Sequence, residues 1–243
     1  MERAEIAEPP KFYLTDNQRE VLRRTHLWVK SFFDEAAKDN RVVMGSHGLD
    51  HNERVAGMAA FLASEEGYEP FLSAFTSLLF DVGRTSKDPR AHNFEHGRLS
   101  VEIAKDFIES VPLLSPDNRI LVMNAMADHP LLNKDVRESW LVKIVQDADR
   151  LDTIGALAPV RAAATRWKLP LYADKVRNSV EEKDMETIYQ DFAVRIPKWV
   201  ESIWTETAKE IAVPRLEFLM SFIKEYDIEA GFMLRAFKNL ELN

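Results

Sequence analysis

An all-α fold is what this chain of 243 residues predicts. Glycine is scarce, with 8 in all, and no Asn-Gly or Asp-Gly dipeptide marks a tight hairpin. Strict alternation of apolar and polar residues, the period of a half-buried strand, is hard to find. Apolar residues instead recur at the three- and four-residue spacing of an amphipathic helix.

Beyond a loose arm expected at residues 1–14, "TDNQREVLRRTHLWVKSFFDEAA" opens on a Thr/Asp cap signal. It carries Val21, Leu22, Trp28, Val29, Phe32 and Phe33 on one stripe. His26 on this segment is expected to be structural or at the surface. A second helix is expected over 50–65 through Val55, Met58, Ala59 and Leu62. "PFLSAFTSLLFDVG" is nearly all apolar, so it is expected to be buried. "EHGRLSVEIAKDFIES" repeats Leu99, Ile103 and Phe107, and "SPDNRILVMNAMADH" starts at Ser-Pro-Asp and runs through Ile120, Met123 and Met126. "VRESWLVKIVQDADRLDTIGALAPVR" predicts a long helix through Trp140, Leu141, Ile144, Val145 and Ala148, loosened at Gly155. The last third, through "DMETIYQDFAVRIPKWVESIW" and "TETAKEIAVPRLEFLMSFIKEY", is again helical, with Trp199, Trp204, Phe218 and Phe222 expected in the core. No composition break or repeat divides the chain, which predicts one all-α domain over 15–243.

Composition bounds the function. Apolar residues make up 46% and charged residues 30%, an ordinary globular balance. The net charge of −8 argues against a nucleic-acid polymer as partner, because phosphate contacts need clustered Lys and Arg. It leaves room for a small phosphorylated ligand in a local pocket. The chain has no cysteine, which excludes disulfides and thiolate metal sites. "MERAEIAEPPKFYLTDNQRE" has no apolar run of the secretory kind, and no stretch approaches about 18 apolar residues. Cytoplasm without membrane association is the expected location; the oligomeric state is left open.

Five short stretches place His or Asp on or beside an apolar face. His47 and His51 are four residues apart, with His47 expected at the turn and His51 in the first helical turn. Asp81 follows Leu78, Leu79 and Phe80. An ionised carboxylate there costs several kcal/mol unless a cation pairs with it, either Arg84 or a metal ion. His96 shares the stripe of Leu99, Ser100, Ile103 and Phe107, and His129 that of Val122 and Met126, so both face inward. His92 lies in a polar loop. "DADRLD" holds three carboxylates, Asp147, Asp149 and Asp152, which repel one another unless a cation such as Arg150 or a divalent metal is present. Mixed His and Asp donors suit several divalent ions, among them Zn, Mn, Fe, Co and Ni.

Taken in order, "HGLDHNERV", "SLLFDVGR", "HGRLSVEIA", "QDADRLDTIGALAPVR" and "TETAKEIAVPRLEFLMSFIKEY" resemble the HD-domain metal-dependent phosphohydrolases, over roughly residues 25–228. That resemblance implies a single helical bundle. It makes His51 the first metal ligand, Asp81 the bridging aspartate and Asp149 the distal ligand, with Asp147 as second choice. His96 and His129 match the histidines that hold a second metal in dinuclear members. It also implies a divalent cofactor (Mn, Ni, Co, Fe, Zn or Mg) and a phosphate ester or anhydride substrate, with nucleotides the natural class. Asp81, Arg54 and Arg84 are the expected catalytic groups; Arg54 faces the substrate phosphate, and Arg150 is a further cation for developing charge. Lys87, Lys168 and Arg161 are candidates for an anionic pocket. One departure is plain: the histidine expected at position 80 is Phe80. The first metal position then keeps His51, Asp81 and Asp149, or else Asp81 with His96 and His129 holds the ion. The runner-up functions are a non-catalytic ligand-binding or interaction protein on this fold, and a metal enzyme of other chemistry, such as an oxygenase.

Overall fold

The computed structural model describes residues 11–39, 44–131, 138–173, 175–176, 178 and 184–240. Residues 1–10 of the expected arm, and Val136 and Arg137 of the expected long helix, lie outside them. Among the described residues there are helices and no strand.

Helix α1 (Asp16–Lys38) begins where the sequence signals it. Thr15 Oγ1 accepts from Gln18 N, and the Gln18 side chain returns a bond to Thr15 N, a reciprocal cap. Thr25, Val29, Phe33 and Ala36 face the core. A short α2 (Met44–His47) leads into α3 (Leu49–Glu65), and α4 (Pro70–Leu79) lies against α3, buried along all of its length except Pro70. Asn52 of α3 donates to Leu78 O at 3.0 Å, which ties the two helices at the end nearest Asp81.

The α-helical turn is lost after Leu79, and Asp81 caps a 3₁₀ turn, Val82–Thr85. The cause lies in α5 (His96–Glu109). Ser100 Oγ accepts from Gly83 N at 2.8 Å while donating to His96 O at 2.9 Å. A Cβ at Gly83 would sit 2.4 Å from His96 O and 2.7 Å from Ser100 N. Only glycine allows this backbone approach, which brings Asp81 to His96. Gly83→Ala is therefore expected to force the two segments apart. The cost is about 1–3 kcal/mol, as for an overpacked core, read by thermal unfolding at about 2–4 °C per kcal/mol.

Helix α6 (Pro116–Asp128) ends at His129, and α7 (Trp140–Asp152) runs beside it. The long helix expected through Arg161 is two helices. The chain turns at Gly155, with φ of +76°, before α8 (Leu157–Thr165). Short α9 (Ile188–Gln190), a π-helical turn (Asp191–Arg195) and α10 (Ile196–Val200) precede α11 (Glu206–Lys238), which is 33 residues long. Phe192, Tyr189, Phe222 and Tyr226 pack ring on ring where α9 and the π-helical turn meet α11. Phe218 departs from the core expectation: it is 51% exposed on α11, one residue off the buried Leu219. No described helix is long and apolar enough to cross a membrane.

Candidate metal centre

Five elements deliver titratable side chains to one buried place. His51 comes from the first turn of α3, Asp81 from the end of α4, His96 from the first residue of α5, His129 from the end of α6 and Asp149 from the middle of α7. His51, Asp81, His96 and His129 are each at most 5% exposed. Asp81 is the hub. Its Oδ1 lies 3.0 Å from His96 Nε2 and 3.4 Å from His129 Nε2. Its Oδ2 lies 3.9 Å from His51 Nε2 and accepts from Arg84 Nε at 3.0 Å. Asp149 Oδ1 stands 3.2 Å from His51 Nε2.

The hydrogen bonds at the back of each ring fix what its front presents. His51 Nδ1 meets the Asp152 carboxylate at 2.7 Å, His96 Nδ1 the Asn93 carbonyl at 2.5 Å, and His129 Nδ1 the Met126 carbonyl at 2.8 Å. The Asn93 and Met126 carbonyls are acceptors, so Nδ1 of His96 and of His129 carries the proton and their Nε2 atoms present lone pairs, while His51 Nδ1 meets both the Asp152 carboxylate and, at 3.0 Å, Arg161 Nη1. His96 Nε2 and His129 Nε2 then face one another at 3.0 Å beside a carboxylate oxygen. Asp81 Oδ1 makes no hydrogen bond to the described residues. Acceptors that converge without a donor repel one another, and a cation among them removes the repulsion. The donor set fits a divalent ion, with His47, His51 and Asp81 in one group and Asp81, His96 and His129 in another. Each group's ligand atoms lie within 4.8 Å of one another. Burial, with Arg84 nearby, lowers the His96 pKa to about 4, so its ring is neutral, the form that ligates. Burial works against ionisation of Asp81, but the Arg84 guanidinium foremost outweighs it and holds the carboxyl well below its usual range.

The three carboxylates of α7 take different jobs. Asp147, the second choice for distal ligand, accepts from Trp204 N, Thr205 N and Thr205 Oγ1 at 2.8–2.9 Å, and so pins the start of α11. Burial raises its pKa. Asp149 faces His51, and Asp152 stands behind His51. The Asp152 carboxylate also accepts from Arg54 Nε at 2.7 Å and from Arg161 Nη1. Arg54 is thus taken up by Asp152 and, through Nη1 at 2.7 Å, by Asp50. It lines a cavity of about 660 Å³ with Asp152, Met58, Phe61, Leu157 and Arg215. Arg150 donates to Ser202 O at 2.6 Å, Lys87 pairs with Asp39 on the surface, and Lys168 stacks over Trp167. His26 pairs with Glu53 at 2.6 Å, and His92 is exposed on a 3₁₀ turn.

Several supporting roles were not assigned from the sequence. Arg161 is buried against Asp152 and Ser46. Gln146 donates to the carbonyls of Asp128, His129 and Leu131 at 3.0–3.2 Å and so holds the His129 turn. His47, expected at the turn before the helix, lies on α2 with Nδ1 3.6 Å from Asp81 Oδ2. The lone signal for it was its four-residue spacing from His51.

No family model matches the chain. An uncharacterized protein of Bacillus subtilis, YpgQ, is 27% identical over 206 residues, covering 82% of this chain and 89% of its own. The structure of YpgQ in complex with ADP superposes with a TM-score of 0.66 at 24% identity, over 88% of this chain and 96% of that one. An HD-superfamily hydrolase from Bacillus thuringiensis superposes at 0.63 with 22% identity, over 88% of this chain and 98% of that one. Ribonuclease Y of Clostridium novyi is 30% identical over 159 residues, which are 64% of this chain and 27% of the ribonuclease.

Proposed function

We propose, for a chain that belongs by fold to the HD superfamily, a metal-dependent phosphohydrolase acting on a small phosphorylated substrate, a nucleotide. One observation carries the reading. His47, His51 and Asp81 form one group of ligand atoms within 4.8 Å of one another and Asp81, His96 and His129 a second, with His96 Nε2 and His129 Nε2 facing each other at 3.0 Å beside Asp81 Oδ1. The complex of YpgQ with ADP supports the nucleotide class, since that protein is similar over nearly its whole length.

A divalent ion held there supplies a bound water of lowered pKa and polarises a phosphoryl oxygen. His51, Asp81 and Asp149 would hold one ion, and Asp81, His96 and His129 a second. Asp152 and Arg161 brace the His51 ring at Nδ1, and Gln146 and the Asn93 carbonyl orient the other two histidines by way of their backbone and ring contacts. Arg84, bonded to Asp81 Oδ2 and 22% exposed, sets a positive charge at the rim, where negative charge developing on a phosphoryl group is met. Arg54 acts one step behind, bracing Asp152.

The test is elemental analysis of protein purified without chelator, followed by phosphate release from nucleoside mono-, di- and triphosphates. Stoichiometric divalent metal and release abolished by EDTA are the expected results. Protein that carries no metal and takes up none from Mn²⁺, Ni²⁺ or Fe²⁺ would remove the reading. Phe80 favours a second one, a fold that binds a phosphorylated ligand without cleaving it. Metal and nucleotide binding with no release from any member of the panel would select it.

A further inference from the structure

The three-ligand set of His51, Asp81 and Asp149 leaves one protein position short on the side that Phe80 occupies. Phe80 is fully buried. Its ring centroid lies 5.6 Å from that of His51 and 4.6 Å from that of His129, so it fills the space between them with carbon. Beside Asp81 stands His47. Its Nδ1 is itself buried, makes no hydrogen bond to the described residues and lies 3.6 Å from Asp81 Oδ2. Its ring is 5.9 Å from that of His51 and nearly perpendicular to it, at 85°. A buried ring nitrogen without a partner, aimed at a carboxylate oxygen, is a cost unless something sits between them.

Ligand atoms about 2.0–2.2 Å from a tetrahedral ion are separated by about 3.3–3.6 Å. The observed edges are 3.6 Å from His47 to Asp81 and 3.9 Å from His51 to Asp81, and the ligand atoms of the three residues all lie within 4.8 Å of one another. We propose that His47 is a metal ligand of this chain, making up for the ligand that Phe80 cannot supply, so that one ion is held by His47, His51 and Asp81, with Asp149 standing 3.2 Å from His51 Nε2. The inference rests on the metal-site reading above and deepens it. Two local features support the placement. Arg161 Nη2 donates to Ser46 O at 2.6 Å, which fixes the residue before His47 to the same buried network that orients His51. His47 is also the more accessible of the two rings, 28% exposed against 1% for His51, so it forms the outer wall of the site.

The experiment measures metal binding by calorimetry and elemental analysis with Mn²⁺ and Co²⁺, on the full chain, for wild type, His47→Ala, His47→Gln, Asp81→Ala and the surface control His92→Ala. Far-UV circular dichroism confirms that each variant is folded, and His47→Gln keeps bulk at the site if the alanine variant is not. Loss of an outer-shell partner weakens metal binding by roughly 10- to 100-fold. His47→Ala is expected to exceed that, by at least about 100-fold at one ion, and to alter the visible spectrum of bound Co²⁺. Phe80→His added to His47→Ala is expected to recover the affinity. Binding by the His47 variants equal to that of His92→Ala, with Asp81→Ala defective, would overturn the ligand role and leave the hydrolase reading in place. Absence of metal from wild type would bring both down.

Discussion

Asp81→Ala is expected to empty both halves of the site at once. Asp81 is the one side chain common to the two groups of donors, with Oδ1 toward His96 and His129 and Oδ2 toward His47 and His51. Removing any one histidine leaves one group complete, whereas removing Asp81 leaves neither. The variant should therefore carry no stoichiometric metal after purification. Phosphate release should fall by at least about 10³-fold, some 4 kcal/mol of transition-state stabilisation. A second readout separates metal loss from general damage. An ion that binds only the folded state at a concentration 100 times its dissociation constant adds about 2.7 kcal/mol of stability. Wild type should gain several degrees of melting temperature from added Mn²⁺, and Asp81→Ala none. His129→Ala should fall between the two, since it spares His51, Asp81 and Asp149. Asp81→Ala that keeps full metal content would show that the carboxylate is paired with Arg84 alone.

The helices were legible because burial imposes a period, and a period survives in one dimension. Thr15, Ser115 and the nearly all-apolar α4 announced their own helices. The candidate ligands could be named by residue type and order, yet what each side chain touches depends on contacts made across the chain. Asp147 and Asp149 illustrate the limit. Two residues apart, they point about 200° away from each other around a helix. Nothing within α7 says which way the site lies. The answer comes from Trp204 and Thr205, 57 and 58 residues later, whose amides claim Asp147. Arg161 could be named only as a candidate for an anionic pocket, for the same reason: it meets a histidine 110 residues earlier in the chain. The break at Gly155 that turns α8 back toward α2 could be read only as a loosening. His47 was weighed by its spacing from His51, while its meaning depends on Asp81, which arrives through the 3₁₀ turn that Gly83 permits.

Arg161→Ala is expected to damage stability and metal binding together, from outside the coordination sphere. The guanidinium is 7% exposed and bonds three ways. Nη1 donates to the Asp152 carboxylate and to Asp152 O at 3.1 Å, and Nη2 donates to Ser46 O at 2.6 Å. Breaking a buried ion pair from one side costs about 3–5 kcal/mol when the remaining charge has no other partner. Asp152 keeps Arg54, so about 2–4 kcal/mol is the expected loss here. At about 2–4 °C per kcal/mol this lowers the melting temperature by roughly 4–16 °C. The same change frees Asp152, which braces the His51 ring, and releases Ser46, which positions His47. Affinity for Mn²⁺ should therefore drop by about 10- to 100-fold, as for other outer-shell losses. Arg161→Lys distinguishes charge from geometry. A lysine keeps the positive charge beside Asp152 but has no planar fork to reach Asp152 and Ser46 together. It should recover much of the stability and little of the metal affinity. Wild-type affinity in both variants, measured on folded protein, would show that the network supports the fold alone and that His51 and His47 hold their positions without it.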